Sequence, residues 1–290
     1  LSSNNIIFLG QQHSAILDTG YVSHAPQTLA LLQQVLQGRK LDRILNTHLH
    51  SDHCGGNALL QNHYRCRTSI AQGESESILH WNEDALSYRA TGQQCPQFTF
   101  SDTLQAGDVL LLGDLEWLAL AAPGHDPHSL VFYCASEKIL ISADALWENG
   151  FGVIFPELAG QSGFLEARAS LDFMSRLAVR LVIPGHGPVF TDIGAALERA
   201  SKRLDFLQGD PLRHAHYAVK VMLKFLLLEQ QRIPLASLPQ MMASMPLMAN
   251  ANQQFFRQSP QQLADSIVAQ LLRAGAARVE QGFLLNHEAL

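Results

Sequence analysis

The chain has 290 residues, 47% hydrophobic and 16% charged, with 20 basic against 26 acidic side chains and a formal charge of −6. That length holds one large domain or a large and a small one, and the composition excludes a disordered chain. No apolar run approaches the ~20 residues of a membrane helix, the nearest being Val221 to Leu228 broken by Lys224, and no basic stripe suits tight nucleic-acid binding.

In chain order, Ile6–Leu9 and Ala15–Asp18 flank a polar Gly-Gln-Gln-His-Ser stretch and predict a hairpin. Over Pro26–Gln37, Leu29, Leu32, Val35 and Leu36 recur on one helical face, with Gly38 as the stop. Arg43–Thr47 is a compact apolar strand that runs into Thr47-His-Leu-His-Ser-Asp-His-Cys-Gly-Gly56. A helix over Asn57–Asn62 and a strand over Thr68–Ala71 follow; 73–90 reads as one polar helix and 90–101 as irregular, rich in Gln and Pro. Strands are expected over Asp108–Leu112, Glu116–Ala121, Leu130–Cys134 and Lys138–Ser142, the last ending at Ala143-Asp144. A helix over Ser162–Ala178 leads to Leu181–Ile183, which stops at Pro184-Gly-His-Gly-Pro188.

From Thr191 the pattern turns helical, with long amphipathic segments over Ile193–Gln208 and Leu212–Arg232 and shorter ones over Pro234–Met245 and Pro260–Ala274. Gln281-Gly282, between two β-prone pieces of Ala277–Leu285, marks a closing hairpin. Two domains are predicted, 1–190 and 191–290, the second small, mostly helical and winged-helix-like. Residues 1–190 carry 10 basic and 18 acidic groups, residues 191–290 carry 10 and 8. Cys54, Cys66, Cys95 and Cys134 form no CxxC pair, which fits a reducing cytosol and a cytoplasmic location. The chain opens at Leu1 with neither an initiator Met nor a signal-peptide pattern, so residues upstream, supplying a further edge strand, are expected.

Thirteen histidines are spread along the chain. His13, His63, His80, His214, His216 and His287 sit in polar surroundings and read as surface or structural groups. His48, His50, Asp52 and His53 differ, lying within six residues directly after an apolar strand. Residues two apart on an extended segment point the same way, so His48 and His50 face one centre, and the following turn aims Asp52 and His53 at a second. Imidazoles and carboxylates are what a borderline cation accepts, and Gly55-Gly56 permits a tight turn into the next helix. Cys54 reads as a small buried residue whose side chain points away from the centre that His53 faces.

These residues resemble the metallo-β-lactamase superfamily, whose mark is HxHxDH, and the other elements of that family follow in order over residues 5–190. Asp18 in Leu17-Asp-Thr-Gly20 matches an early Asp that orients the metal loop, Pro123-Gly-His125 a third metal histidine, Ser142-Ala-Asp144 a bridging carboxylate and Pro184-Gly-His186 the last ligand. The resemblance implies an αββα sandwich with the ligands on loops at one edge. It implies two divalent cations, zinc with manganese or iron as alternatives, one held by His48, His50 and His125 and the other by Asp52, His53 and His186, with Asp144 between them. Asp18 would orient a ligand from behind, and a metal-bridging hydroxide would attack a carbonyl, with Asp52 shuttling the proton.

A carboxylate at Asp144 resembles the glyoxalase II and β-lactamase-like hydrolase branch rather than the antibiotic-hydrolysing enzymes. The expected activity is hydrolysis of a small thioester, ester or lactone. The alternatives are a single-stranded RNA endonuclease and a partner-binding regulator that keeps the metal site. Trp81, Tyr88, Arg89 and Phe98 are the expected wall of the substrate pocket, with Tyr21 and His24 reaching in from the loop after Asp18. Lys202, Arg203, Arg213, Lys220 and Lys224 either line a groove for phosphates or solvate amphipathic helices. Met241, Met242, Met245 and Met248 suit an internal core, or a contact with a second copy through the tail.

Overall fold

The computed structural model describes residues 3–287, so the expected processed terminus at Leu1 and Ser2 lies outside the described residues. One five-stranded sheet runs in the order β1 (Ile6–Leu9), β2 (Ser14–Leu17), β3 (Arg43–Leu45), β4 (Arg67–Ala71), β5 (Asp102–Leu104). The β1/β2 pair is antiparallel, with Ile6 opposite Leu17, and the remaining pairs are parallel. The second sheet holds β6 (Val109–Leu112), β7 (Leu115–Ala121), β8 (Leu130–Cys134), β9 (Ile139–Ala143) and β10 (Leu181–Pro184), antiparallel except for β9 and β10.

Alternation along these strands builds the layers, because successive side chains leave opposite faces of a sheet. Leu17, Leu45 and Ala71 meet Leu112, Trp117, Phe132 and Ile141 in the core between the sheets. One residue over, Ile16 and Ile44 turn outward onto Leu32 and Leu36 of α1 (Ala25–Leu36) and onto Leu60 of α3 (Asn57–Tyr64), which follows the short α2 (Ser51–Cys54). On the far side, Val131, Leu140 and Val182 pack against α7 (Phe164–Met174) and α8 (Ile193–Gln208). The αββα sandwich follows from that period of two. Val35, expected on the packed face of α1, is exposed.

The stretch expected as one polar helix over 73–90 is broken. After a 3-10 turn at Gln72–Glu74 come α4 (Ser75–Leu79) and α5 (Tyr88–Thr91), with turns between them where Trp81 and Ser87 take positive φ. The apolar residues of this stretch do not recur at 3.6, so no single buried face holds a long helix together. The irregular segment ends in β5, which sequence reading missed. Only Leu104 of its three residues is buried, so β5 carries little apolar signal; Asp102 there is anchored by Arg43 and Arg67 at 2.7 and 2.6 Å.

Beyond the short α6 (Phe155–Leu158) and the sandwich helices, α9 (Pro211–Gln230) begins at an Asp210 cap. It packs with α10 (Leu238–Ser244), α11 (Pro246–Ala251), α12 (Pro260–Arg273) and a small sheet of β11 (Arg232–Pro234), β13 (Phe283–Asn286) and β12 (Ala277–Glu280). The predicted helix therefore stops at Gln230, and Arg232–Pro234 leaves it to pair with β13. The final hairpin turns at Gln281 and Gly282, with φ of +49° and +79°, as the sequence implies. Met242, Met245 and Met248 are buried in the core of this unit and Met241 packs against it. The change of character at residue 191 is a change to helices, yet Ala196, Ala200 and Leu204 of α8 share the core of the second sheet; the separate core starts on α9. No helix among the described residues is long and apolar enough to cross a membrane.

Candidate metal centre

The clustered histidines and carboxylates of the sandwich all follow the C-terminal end of a strand: Asp18 after β2, His48 to His53 after β3, His125 after β7, Asp144 after β9 and His186 after β10. Strand ends converge there, so groups far apart in sequence meet. Three overlapping sets result, His48, His50 and His125; His48, His53 and Asp144; and Asp52, His53 and His186, with the candidate ligand atoms of each set within 4.8 Å of one another.

Asp144 lies between the sets. Its Oδ2 is 3.5 Å from His125 Nε2 and 3.4 Å from His186 Nε2, while Oδ1 is 3.5 Å from His53 Nε2. Asp52 Oδ2 stands 3.2 Å from His186 Nε2 and 3.8 Å from His53 Nε2. The first set closes where His50 Nδ1 approaches His125 Nε2 at 2.8 Å. Only His50 keeps appreciable exposure, 12% of its side chain.

A second tier of groups fixes the rings. Asp18 takes hydrogen bonds on Oδ1 from the Thr47 backbone N–H at 2.9 Å and on Oδ2 from the Thr47 hydroxyl at 2.8 Å. Asp18 Oδ2 also faces His53 Nδ1 at 2.8 Å, which holds the proton on Nδ1 and turns the Nε2 lone pair inward. The Thr47 oxygen, 3.0 Å from His48 Nδ1, does the same for His48. His125 Nδ1 donates to the Val153 carbonyl, and the Trp147 indole N–H donates to Asp144 Oδ1 at 3.2 Å while its ring packs on His186. Close backbone approach requires glycine at two places. A Cβ on Gly152 would lie 2.5 Å from His125 Nδ1, and one on Gly185 would collide with Asp144 Oδ1.

The electrostatics suit a cation. Burial, with neighbouring imidazoles, pushes His48 well below its ordinary range and His50 down to about 4, so both are neutral and able to ligate. Burial opposes the charge on Asp144, but His186 and His53 hold its carboxyl well below the usual range, and against the lowering effect of burial Asp144 and Asp52 in turn raise His53 and lift His186 to about 9, so these two rings carry protons that a divalent cation would displace. His48 Nε2, His53 Nε2 and both ring nitrogens of His186 are buried without a hydrogen-bond partner among the described residues. Orphaned buried nitrogens on converging rings are costly unless something electron-poor sits among them, and a divalent cation fits that description.

A narrow cleft reaches the cluster between His50, Asp52, His125 and Asp144 below and Thr91, Gln93, Phe155, Met222 and Phe225 above. The larger cavity of about 660 Å³ lies elsewhere, by Gly10, Lys40 and Asp114, and touches none of the clustered groups. None of the four residues expected as a pocket wall lines the cleft. Trp81 packs edge-on to Phe98 at 5.6 Å and beside Tyr88, whose hydroxyl donates to the Leu49 carbonyl. Arg89 points outward to Glu83 and Asp84. Burial of three aromatic rings against one another outweighs their display to a substrate, and the segment reaches the cleft through Thr91 and Gln93 instead.

Tyr21 is fully buried against Phe225 and Leu228, and His24 stands at the position before α1 with no side-chain cap bond; neither lines the cleft. Cys54 is buried away from the cluster, its sulfur 3.2 Å from Tyr88 Oη and 3.7 Å from Cys95 Sγ. Sequence reading missed Thr47, Trp147, Phe155, Met222 and Phe225. Thr47 stands directly before the histidine run and Trp147 three residues after Asp144, so adjacency to the motifs was the available signal; the other three carried none.

With fold and cluster in hand, the match to known proteins is unambiguous. Residues 1–186 match the model of the metallo-beta-lactamase superfamily, and the chain belongs to that superfamily. It is similar to the hydroxyacylglutathione hydrolase of Rhodopseudomonas palustris, 33% identical over 132 residues, 45% of this chain and 44% of that one. It is also similar to the acyl-coenzyme A thioesterase MBLAC2 of Homo sapiens, 24% identical over 201 residues, 62% of this chain and 71% of the relative. The match thus spans less than half the length of the bacterial relative. Among solved structures, a metallo-beta-lactamase family protein from Thermus thermophilus shares the fold over 99% of this chain and 94% of its own, with a TM-score of 0.57 and 19% identity.

Proposed function

We propose that this protein is a metal-dependent hydrolase of a small thioester, ester or lactone, with His48, His50 and His125 holding one cation, Asp52, His53 and His186 a second, and Asp144 both. The observation that carries this reading is the convergence of three overlapping ligand sets in which the buried Nε2 atoms of His48, His53 and His186 have no hydrogen-bond partner among the described residues. Zinc is the proposed metal, since imidazole and carboxylate suit it. A divalent cation at such a site polarises a carbonyl and lowers the pKa of water towards neutrality. The names of the two relatives, a hydroxyacylglutathione hydrolase and an acyl-coenzyme A thioesterase, support an acyl group carried on a thiol compound.

The chain's own residues do the rest. Asp18 keeps His53 in one tautomer through its Oδ2, and Thr47 keeps His48 in the matching one. Asp52, with Oδ2 facing His186, is the carboxylate placed to take the proton that the attacking water gives up. Phe155, Met222 and Phe225 cover the cleft, exclude bulk water and set what enters. The division into a catalytic unit over 1–190 and an accessory unit over 191–290 belongs to the same proposal, with α8 joining them.

The test is hydrolysis by the full chain, loaded in turn with zinc, manganese and iron, across acyl-CoA thioesters, S-lactoylglutathione and lactones, each with a chelated control. Chelator-sensitive turnover of a thioester is the expected result. Silence across the panel at full metal occupancy overturns the reading, and cleavage of single-stranded RNA in its place would install the nuclease alternative.

A further inference from the structure

Between α8 and α9 lies a groove of about 610 Å³ lined by Arg199, Lys202, Arg203, Arg213, His216 and Lys220, and no Asp or Glu is among its lining groups. Four of these were candidates for phosphate contact from sequence; the fifth, Lys224, turns away to Asn286 Oδ1 and the Ala276 carbonyl. The guanidinium groups are held mainly by aromatic rings and backbone carbonyls. Arg203 lies over the Tyr217 ring at 4.4 Å, Arg213 over Phe206 at 3.8 Å, and Arg199 donates to the Glu148 carbonyl at 2.9 Å. Two carboxylates outside the lining compensate part of the charge, Glu198 on Lys202 at 2.5 Å and Asp210 on Arg213 at 3.5 Å. Lys220 and His216 are half-buried at the edge of the groove.

The groove is joined to the cluster by a short loop. Glu148 and Asn149, whose carbonyls bind Arg199 and Arg203, directly follow Trp147, which touches both Asp144 and His186. Along α9, Phe225 at the cleft is five residues beyond Lys220 and twelve beyond Arg213, roughly 8 to 18 Å at 1.5 Å per residue. We infer that this groove holds the phosphates of a nucleotide-bearing thiol carrier, so that the thioester reaches the cluster on an arm of coenzyme A type.

This rests on the hydrolase reading and narrows it to one carrier. The arm of such a carrier has three linked units between sulfur and first phosphate, roughly 10–15 Å if each is a little longer than the ~3.5 Å of an extended peptide unit, and that bridges cleft and groove. A peptide-sized carrier such as glutathione would lie within the cleft, where the lining offers its carboxylates no Lys or Arg. The groove in turn offers its ammonium no acid.

The test compares kcat/KM of the metal-loaded full chain for an acyl-CoA and the matching acyl-pantetheine, in the wild type and in Lys202→Gln, Lys220→Gln and the double variant. A preference of about a hundredfold or more for the CoA thioester is expected, falling by about tenfold for each lysine removed, mainly through KM. Calorimetry should show salt-sensitive binding of adenosine 3′,5′-bisphosphate, lost in the double variant. Equal rates on the two thioesters, an unchanged preference in the double variant, or a preference for S-lactoylglutathione overturns the groove while leaving the hydrolase. Absence of hydrolysis of every thioester, ester and lactone overturns the proposed function itself.

Discussion

The floor and the roof of the cleft are built on different principles. Below, each histidine and carboxylate of the cluster comes from the loop, or in the case of Asp52 and His53 the short helix α2, that follows a strand, and most are pinned by a second group: Asp18 behind His53, Thr47 behind His48, the Val153 carbonyl behind His125, Trp147 behind Asp144. Above, Thr91, Gln93, Phe155, Met222 and Phe225 arrive from three separate stretches of chain, one of them in the helical C-terminal unit. The capacity to hold a cation thus rests on strand ends that the sheets of the sandwich bring together, while access to it depends on how a remote helix packs. Changes to the floor should therefore abolish the chemistry, and changes to the roof should redirect it.

The most direct challenge to that contrast is to remove a central ligand. Asp144→Ala or His48→Ala should release metal and lower turnover by about a thousandfold or more, as read by bound-metal analysis beside initial rates. Retention of full metal and activity by either variant would dismantle the assignment. One tier out, Asp18→Asn keeps the shape but cannot hold the proton on His53 Nδ1; metal affinity and kcat should each fall by about 10- to 100-fold. At the roof, Phe225→Ala should leave the metal content as it is and shift kcat/KM between short and long acyl chains by about tenfold or less, since it removes apolar area and no ligand. A loss of metal in that variant would erase the distinction between floor and roof.

A smaller effect, near the rim of the floor, is read through stability. Glu74, at the turn after β4, is buried, and desolvation together with the nearby Asp126 carboxylate pushes its carboxyl up to about 8. An acid raised in the fold is protonated there and ionised in the unfolded chain above about 4.5, so its contribution to stability is whole below that pH and is lost as pH rises towards 8. Glu74→Gln should raise the Tm at pH 8 by a few degrees and leave it nearly unchanged at pH 4.5. An unaltered Tm across that range would show that Glu74 is not held protonated.

Much of the floor was legible from the chain. HxHxDH, Pro-Gly-His125, Asp144 and Pro-Gly-His186 each sit at the end of a short apolar run, and a strand end is the one place where a local pattern also tells which way the next residue is delivered. At Ala15-Ile16-Leu17 all three residues are apolar and buried, so the sequence did not tell their layers apart; the pleat sends Ala15 and Leu17 between the sheets and Ile16 onto α1. The 73–101 segment shows the limit. Its aromatics look like a binding wall in one dimension, yet Trp81, Tyr88 and Phe98 satisfy one another, a choice settled by contacts that no spacing encodes.

The short strands, the histidines and carboxylates at their ends and, through the family resemblance those motifs carry, the sandwich were already legible in the order of the amino acids, because hydrophobic period and motif act over a few residues and need no distant partner. Tertiary packing alone settled that Phe225 of α9 lies over the cluster, that Trp147 steadies Asp144, and that Arg203 and Lys220 share one groove while Lys224 leaves it. Those placements depend on the packing of one core against another, and packing is a property of surfaces that meet only once the chain has folded.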